Sequence, residues 1–506
     1  MEQSTKKRLF YNTVTSLCLQ ITSVICGFIL PRIILGAYGS SVNGLVQAIT
    51  RFLSIISFLE LGVGYVIQSE LYKPLSAKDN IRLSEIIVSG GKYFRQIGNI
   101  LLIYVIILIL LFPQLHKSEF SWIYTATLIL AISLSYFAQY YYGIIDRLLL
   151  NSDQRGYIQY SAQIITLILN TVLSVVLIKA NASIQVVKLA SSVVFLVRPL
   201  ALRLYVNRKY CIDRKIEIHG EPIKQKWNGI AVHISSTILD DTDTIVLTLF
   251  STLANVSIYS MYHLVVYGVK QIVFSLTSGI DAIFGRLIAT GDKENLKQFF
   301  SLSEWLIHLL SIYVYSCAGI LIIPFIKVYT SGVSDANYIQ PLFAMIIVAA
   351  HAGHCLRLPY NKLILAAGMF KETQICYIFA AILNIVISCV TVYFWGLVGV
   401  AIGTLIAMYY QTIWMAIYCS KHLVIINITV FLKQIFVDCM SIACIIITCS
   451  WIQMQKVSYI NWFICALIVA LISALDVIFI NFVFYKSNLL YIARSIPVIR
   501  KRRQLK

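Results

Sequence analysis

Apolar runs of about 18–25 residues recur from Leu9 to Phe484, roughly fourteen in number, with short polar stretches between them. Each is long enough to cross a hydrocarbon core of about 30 Å as a helix. The runs fall near 9–35, 43–69, 93–113, 122–145, 157–179, 185–205, 228–250 and 258–285, then near 302–324, 339–364, 373–394, 397–419, 433–453 and 460–485. The pattern therefore predicts an all-α polytopic membrane protein with about fourteen transmembrane helices. Composition agrees: 59% of the 506 residues are hydrophobic and only 12% charged, with a mean hydropathy of +0.81.

The net charge of +19 is best understood from where the charges lie. With Met1–Arg8 inside, the loops on that side hold Lys6, Lys7, Arg8, Lys73, Lys78, Arg82, Lys92, Arg95, Arg147, Arg155, the 203–226 cluster, Arg286, Lys293, Lys297 and the Arg500–Arg503 tail. The opposite loops hold only Lys117, Lys179, Lys327 and Lys456. That asymmetry sets both termini in the cytoplasm by the positive-inside rule. The basic excess is thus topological, and no soluble basic domain presents it to nucleic acid. The first apolar stretch contains Pro31-Arg32 and lacks a small-x-small cleavage site, so it is expected to be the first span rather than a signal peptide.

Short loops make consecutive helices antiparallel neighbours, and the longest polar stretch, about 205–227, divides the chain into six spans, six, then two. The expected division is an N-terminal lobe at 1–210, a cytoplasmic linker at 211–227, a C-terminal lobe at 228–420, and two extra helices with a basic tail at 421–506. No loop is large enough for a catalytic domain, and no phosphate-binding G-x-x-x-x-G-K-[ST] loop occurs. Neither an enzyme nor an ATP-driven pump is expected. Of twelve cysteines only Cys211 falls clearly in a loop, and no Cys/His set has zinc spacing, so neither a metal nor a cofactor is expected. The halves echo one another faintly. Pro31–Leu35 precedes Asn43-Gly44-Leu45 at the spacing by which Asp243–Leu247 precedes Asn255-Val256-Ser257.

Intramembrane charges carry the functional signal, because each costs at least about 2.5–3.5 kcal/mol at the bilayer centre and needs a partner, a wet cavity or a purpose. The cations are Arg32, Arg51, Arg198, Lys270 and Arg357; the anions include Glu60, Asp240, Asp241, Asp243, Asp281 and Asp476. Arg51 and Lys270 lie about 12 and 18 Å into their spans at roughly 1.5 Å per residue, too deep to reach water easily. His263 and Lys270 share a helical face, as do His354 and Arg357. Arg51 and Glu60, nine apart, point to opposite sides of a straight helix, and Gly62 or Gly64 would bend it only beyond Glu60. The carboxylates of Asp240, Asp241 and Asp243 lie within four residues. They fit either a kink whose acids pair with Lys270 and Arg198 or a cation or proton coupling site. Gly396, Gly399 and Gly403 offer a flat packing face, and the run Tyr136–Tyr142 is expected to form an interfacial aromatic belt.

Several blocks resemble a family. They are Pro31–Gly39 leading into Asn43-Gly44-Leu45; Leu59–Gly64 followed by Leu71–Leu75; Asp243–Leu247 with Val256–Ser260; and Ala366-Ala367-Gly368-x-Phe370-Lys371-Glu372-Thr373-Gln374 with Asn384–Ser388 and Gly396–Thr404. In order and spacing these resemble the polysaccharide repeat-unit (O-antigen and capsule) flippases of the multidrug/oligosaccharidyl-lipid/polysaccharide exporter superfamily. The resemblance implies two six-helix lobes around a central cavity plus two C-terminal helices. It also implies movement of undecaprenyl-pyrophosphate-linked oligosaccharides across the bacterial cytoplasmic membrane by alternating access.

By similarity with the related lipid II flippases, whose first, second and eighth helices carry cavity arginines, Arg32, Arg51 and Lys270 would hold the pyrophosphate. Lys at the third position makes bidentate recognition there doubtful, though it remains a point charge for phosphate. Arg198 and Arg357 would be secondary contacts. Glu60, Asp240, Asp241 and Asp243 are the candidates for coupling or ion pairing. Implied partners are the lipid-linked oligosaccharide, the bilayer, and a polysaccharide polymerase with its chain-length machinery. The alternative is a cation-coupled drug antiporter of the same superfamily, whose acidic cavity the Asp240–Asp243 run keeps open.

Overall fold

The computed structural model describes residues 2–60, 63–216, 230–424 and 428–495, and every regular element among them is helical. In chain order the helices are α1 (Glu2–Ser54), α2 (Val63–Ala77), α3 (Asn80–Leu115), α4 (Trp122–Ala138), α5 (Ile144–Ser152), α6 (Gly156–Lys179), α7 (Ile184–Lys209), α8 (Ile230–Phe250) and α9 (Leu253–Thr277). They continue as α10 (Ile280–Ala289), α11 (Lys293–Tyr329), α12 (Pro341–Leu356), α13 (Leu358–Ala366), α14 (Phe370–Trp395), α15 (Leu397–His422), α16 (Ile428–Cys449), α17 (Tyr459–Phe484) and α18 (Lys486–Ser495).

By length and composition eleven helical segments can cross a membrane, or twelve if the pair α9 and α10, bent by 41°, is one span. The protein is a multi-pass membrane protein. The expected fourteen differs because 10–59 passes as one segment. At 50 residues it would be about 75 Å long if straight, far more than one crossing needs. The helix is in fact broken at Gly39, whose backbone (φ 83°, ψ 178°) is closed to most side chains. α8, with its three carboxylates, is the other expected span outside that set.

The polar backbone is satisfied inside each helix, as the bilayer demands, while large apolar side chains face outward. On α17, Leu467, Leu471, Leu475 and Phe479 are all exposed on this lipid-facing pattern. α12 stops at Leu356 because Pro359, in the first turn of α13, cannot donate to the preceding turn. Arg357 occupies that junction.

The helices form two compact units: residues 1–237 with 252–257, and residues 238–251 with 258–506. In the first, α1 packs on α6, α6 on α7, and α4 on both α3 and α7. In the second, α14 lies against α15, α12 packs on α11 and α15, and α16 and α17 pack on α11. The close α14–α15 contact follows the glycine face expected from sequence. A Cβ at Gly399 would fall 2.2 Å from the Thr391 carbonyl oxygen, and one at Gly403 2.1 Å from Ser388 Oγ.

In the first unit Asn43 Nδ2 donates to Ser257 Oγ at 2.7 Å, and Gly44 lies directly against the Leu253 carbonyl. The second segments of the two echoing blocks, Asn43-Gly44 and the start of α9, thus meet within the first unit. Two expectations need correction. The bend after Arg51 begins before Glu60, not beyond it: a 3₁₀ turn at Ile55–Leu59 replaces the α-helix. And the tyrosine run does not form a uniform belt. It winds as a π-turn at Gln139–Gly143, with Tyr140 buried and Tyr142 exposed, since residues two apart on a helix point to different sides.

Candidate functional site

Basic side chains inside both units are the outstanding chemical feature, and each is held by a different local device. In the first unit Arg32 and Arg51 are both half-buried on α1, on either side of the break at Gly39. Arg32 lies back along its own helix: its Nη1 is only 3.3 Å from where a Cβ on Gly36 would stand, so the glycine leaves the space the guanidinium occupies. Arg51 is in the last turn of α1, just before the 3₁₀ turn. Its neighbours Thr50 and Phe52 have their carbonyls engaged by the hydroxyls of Tyr136 (3.4 Å) and Tyr104 (2.9 Å), which pin that helix end. Glu60 accepts from the Tyr140 hydroxyl, so it meets another helix, as its spacing from Arg51 requires. Arg198 lines a cavity with Arg147 and Lys188.

The second unit builds a longer array on one face of α9. Tyr259, His263, Tyr267, Lys270 and Phe274 follow at spacings of three and four, which stacks their side chains in a row. His263 lies between Tyr259 and Tyr267 with both ring centroids at 5.6 Å, and meets His351 of α12 edge-on at 5.6 Å. Lys270, only 4% exposed, places its Nζ 5.5 Å from the Tyr267 ring and 5.7 Å from that of Phe274, which offsets part of its desolvation by cation–π attraction. Phe274 in turn packs on His354 at 5.8 Å. Arg357 Nη2 lies 3.3 Å from His354 Nε2. The charges of Lys270 and Arg357 therefore both bear on one imidazole. Arg357 is itself 3% exposed, and its Nε and Nη1 have no hydrogen-bond partner among the described residues. A buried guanidinium with unmatched N–H groups is costly unless an anion visits it.

The acidic run divides. Asp243 is buried, and accepts hydrogen bonds from Tyr259 (2.9 Å) and Thr404 (2.6 Å), with Asn384 Nδ2 at 3.4 Å. Tyr259 thus ties this carboxylate to the row that contains Lys270. Asp241 is half-buried, while the Asp240 side chain lies outside the described residues. Of the remaining intramembrane acids, Asp281 pairs with Lys362 at 2.6 Å and Asp476 accepts from Thr448.

A second buried polar cluster was not anticipated. His308 Nδ1 on α11 lies 2.6 Å from Asp438 Oδ2 on α16. Gln434 donates to the other Asp438 oxygen at 2.9 Å, and Glu304 accepts from Tyr360. The signal was present as two i, i+4 polar pairs, Glu304/His308 and Gln434/Asp438. It was overlooked because Glu304 and Gln434 stand within two residues of the expected span starts at 302 and 433. Lys188 was missed for the same reason, near the start at 185. Among the described residues no group of three or more His, Cys, Asp and Glu could hold a metal ion.

No protein-family model and no curated protein matches the chain. Solved structures do. The chain is similar to a lipid II flippase, MurJ, in an inward closed conformation (15% identity, TM-score 0.71, covering 94% of this chain and 99% of that one). It is also similar to an inward-facing multidrug resistance MATE family transporter of the MOP superfamily (13% identity, TM-score 0.58, 81% and 98% covered). A third similar structure is a variant of the Vibrio cholerae MATE transporter VcmN (14% identity, TM-score 0.56, 84% and 98% covered). At these identities the likeness is one of fold: this chain has the MurJ/MATE-like helical fold.

Proposed function

We propose that this protein is a flippase for lipid-linked oligosaccharides, moving undecaprenyl-pyrophosphate-linked repeat units across a bacterial cytoplasmic membrane for capsule, O-antigen or exopolysaccharide assembly. The observation that carries the proposal is the buried basic array of the second unit, where Lys270 and Arg357 flank His354 and Arg357 keeps two unmatched N–H groups. A pyrophosphate cannot cross hydrocarbon unless its charge is neutralised, and buried guanidinium and ammonium groups suit phosphate oxygens. Arg32 and Arg51 are proposed to share that task, with Arg198 and Arg357 as secondary contacts. The polyprenyl tail can remain in lipid while the headgroup and sugars pass through a polar path. The similar fold of a lipid II flippase supports a lipid-linked cargo. A polysaccharide polymerase would be the natural partner on the far side.

The second reading is a cation-coupled small-molecule antiporter. Asp243, a buried carboxylate held by two hydroxyls, favours it, as does the likeness to MATE transporters. In the flippase reading Asp243 and Glu60 are coupling candidates instead. The decisive experiment is translocation of a labelled undecaprenyl-pyrophosphate oligosaccharide in proteoliposomes, comparing wild type with Arg51→Ala, Lys270→Ala and Arg357→Gln. Loss of transport in the three variants, each still monodisperse, is expected. Normal transport by Arg51→Ala and Lys270→Ala would refute the headgroup assignment. A wild type that moves a cationic drug but no lipid-linked glycan would favour the antiporter.

A further inference from the structure

A cavity of about 410 Å³ lies wholly within the first unit, between the end of α1, α4 with its π-turn, α5, α6 and α7. Its volume falls in the range of small-molecule sites. Three cations line it, Arg147, Lys188 and Arg198, and no carboxylate does. Among the described residues none of the three makes a hydrogen bond or an ion pair. Of the nearby acids, Asp146 pairs with Arg203 (3.7 Å) and Arg214 (3.3 Å), while Glu60, hydrogen-bonded to Tyr140, also attracts Arg147; neither compensates Lys188 or Arg198. Arg147 and Arg198 repel one another across the cavity. Lys188 and Arg198, which have no such acid, are stable within a span only if water or an anion accompanies them.

The walls supply more than charge. Lys188, Ser191, Phe195 and Arg198 follow at helical spacing on one face of α7, so the two cations stand about 15 Å apart along the axis. Gln159 and Gln163 face them from α6, and Gln139 comes from the π-turn. The Gln159 side chain is 7% exposed, and its Oε1 has no partner among the described residues. Pro199 lacks the N–H that would engage the Phe195 carbonyl, leaving a further acceptor beside the cavity. Gly143 leaves room for this stretch of α7, since a Cβ there would stand 3.1 Å from Pro199 Cβ. A π-turn, a proline and a glycine at one cavity are a combination that packing alone does not require.

We infer that this cavity is a second binding site, for an anionic polyol: a saccharide bearing a phosphate or carboxylate, its charge taken by Lys188 and by Arg147 with Arg198, its hydroxyls by the glutamines. The site is built from residues of the first unit alone; Arg198 is shared with the headgroup reading above, whereas Lys188, Arg147 and the glutamines belong to this site only.

The test is equilibrium binding of radiolabelled glucose 6-phosphate to the full-length protein in nanodiscs of zwitterionic lipid. Glucose, glucuronate and inorganic phosphate serve as competitors. Glucose 6-phosphate and glucuronate are expected to bind at least about tenfold more tightly than glucose, because charge-assisted contacts are the strong ones. Lys188→Met and Arg198→Gln are each expected to weaken binding at least about fivefold, while Lys188→Arg retains it and Lys293→Gln, at an exposed position, has no effect. Retention in Lys188→Arg separates loss of the site from misfolding. Equal binding of glucose and glucose 6-phosphate, or unchanged binding in both Lys188→Met and Arg198→Gln, would overturn the site. Inorganic phosphate binding as tightly as glucose 6-phosphate would overturn the polyol assignment. Competition by phosphatidylglycerol placed in the nanodisc, present in wild type and absent in Lys188→Met, would overturn the saccharide in favour of a lipid headgroup.

Discussion

Replacing Gly44 by alanine tests the close approach of α1 to the start of α9. An added Cβ would stand 1.8 Å from the Leu253 carbonyl oxygen and 2.6 Å from its carbonyl carbon. Both are backbone atoms at a helix start, so no side chain can swing away. Restoring an ordinary contact separates the two segments by roughly 1.5 Å, since carbon atoms pack at about 3.5–4.0 Å. Overpacking of this kind costs about 1–3 kcal/mol. The same separation would lengthen the buried 2.7 Å bond from Asn43 to Ser257. Breaking that bond adds about 1–3 kcal/mol for unsatisfied groups. Gly44→Ala is therefore expected to cost about 2–6 kcal/mol, read as a lowered melting temperature in detergent by fluorescence-detected size exclusion. Gly91→Ala is the control, because nothing lies within 4 Å of its Cβ. A double-mutant cycle of Asn43→Ala and Ser257→Ala apportions the polar share. If Gly44→Ala melts with Gly91→Ala and wild type, the close packing inferred here is wrong.

Gly399→Ala, whose Cβ would meet the Thr391 carbonyl at 2.2 Å, should destabilise the α14–α15 pair by about 1–3 kcal/mol by the same assay, and an unchanged melting temperature would refute it. His308→Ala leaves Asp438 buried without its imidazole partner and should cost about 3–5 kcal/mol, whereas the double change to leucine at both positions should be closer to neutral. Equal melting of the single and double variants would argue against a coupled pair. Asp292 caps α11, and hydrogen bonds from the backbone and side chain of Asn295 hold its carboxyl below the usual range. Such a group stabilises the helix start above the ordinary aspartate range, and the effect is lost as pH falls through the lowered value. Amide protection at 294–296 should thus drop on acidification in wild type and be pH-independent in Asp292→Ala. Identical profiles would exclude the cap.

Much of the architecture was legible because membrane helices obey a one-dimensional rule: an apolar run of sufficient length must be a helix, since lipid offers the backbone no other partner. Hence the all-helical class, the span positions and the Gly396–Gly403 packing face could be read directly. So could the shared faces of His263 with Lys270 and of His354 with Arg357, which need only helical periodicity. Breaks were less legible. Gly39 and Pro359 can be seen in the chain, but whether a glycine bends a helix or a proline ends one depends on what packs against it, and the turn at Ile55–Leu59 contains neither.

What tertiary structure alone decided is pairing. Sequence determined that buried charges exist and that each requires compensation. It did not determine that Asp243 would be held by Tyr259 and Thr404, that Asp438 would find His308, or that Lys188 would join Arg147 and Arg198 around one cavity. Those partners lie far apart in the chain. Their meeting is set by which helix faces pack together, and desolvation, which makes a buried charge costly, fixes no partner for it.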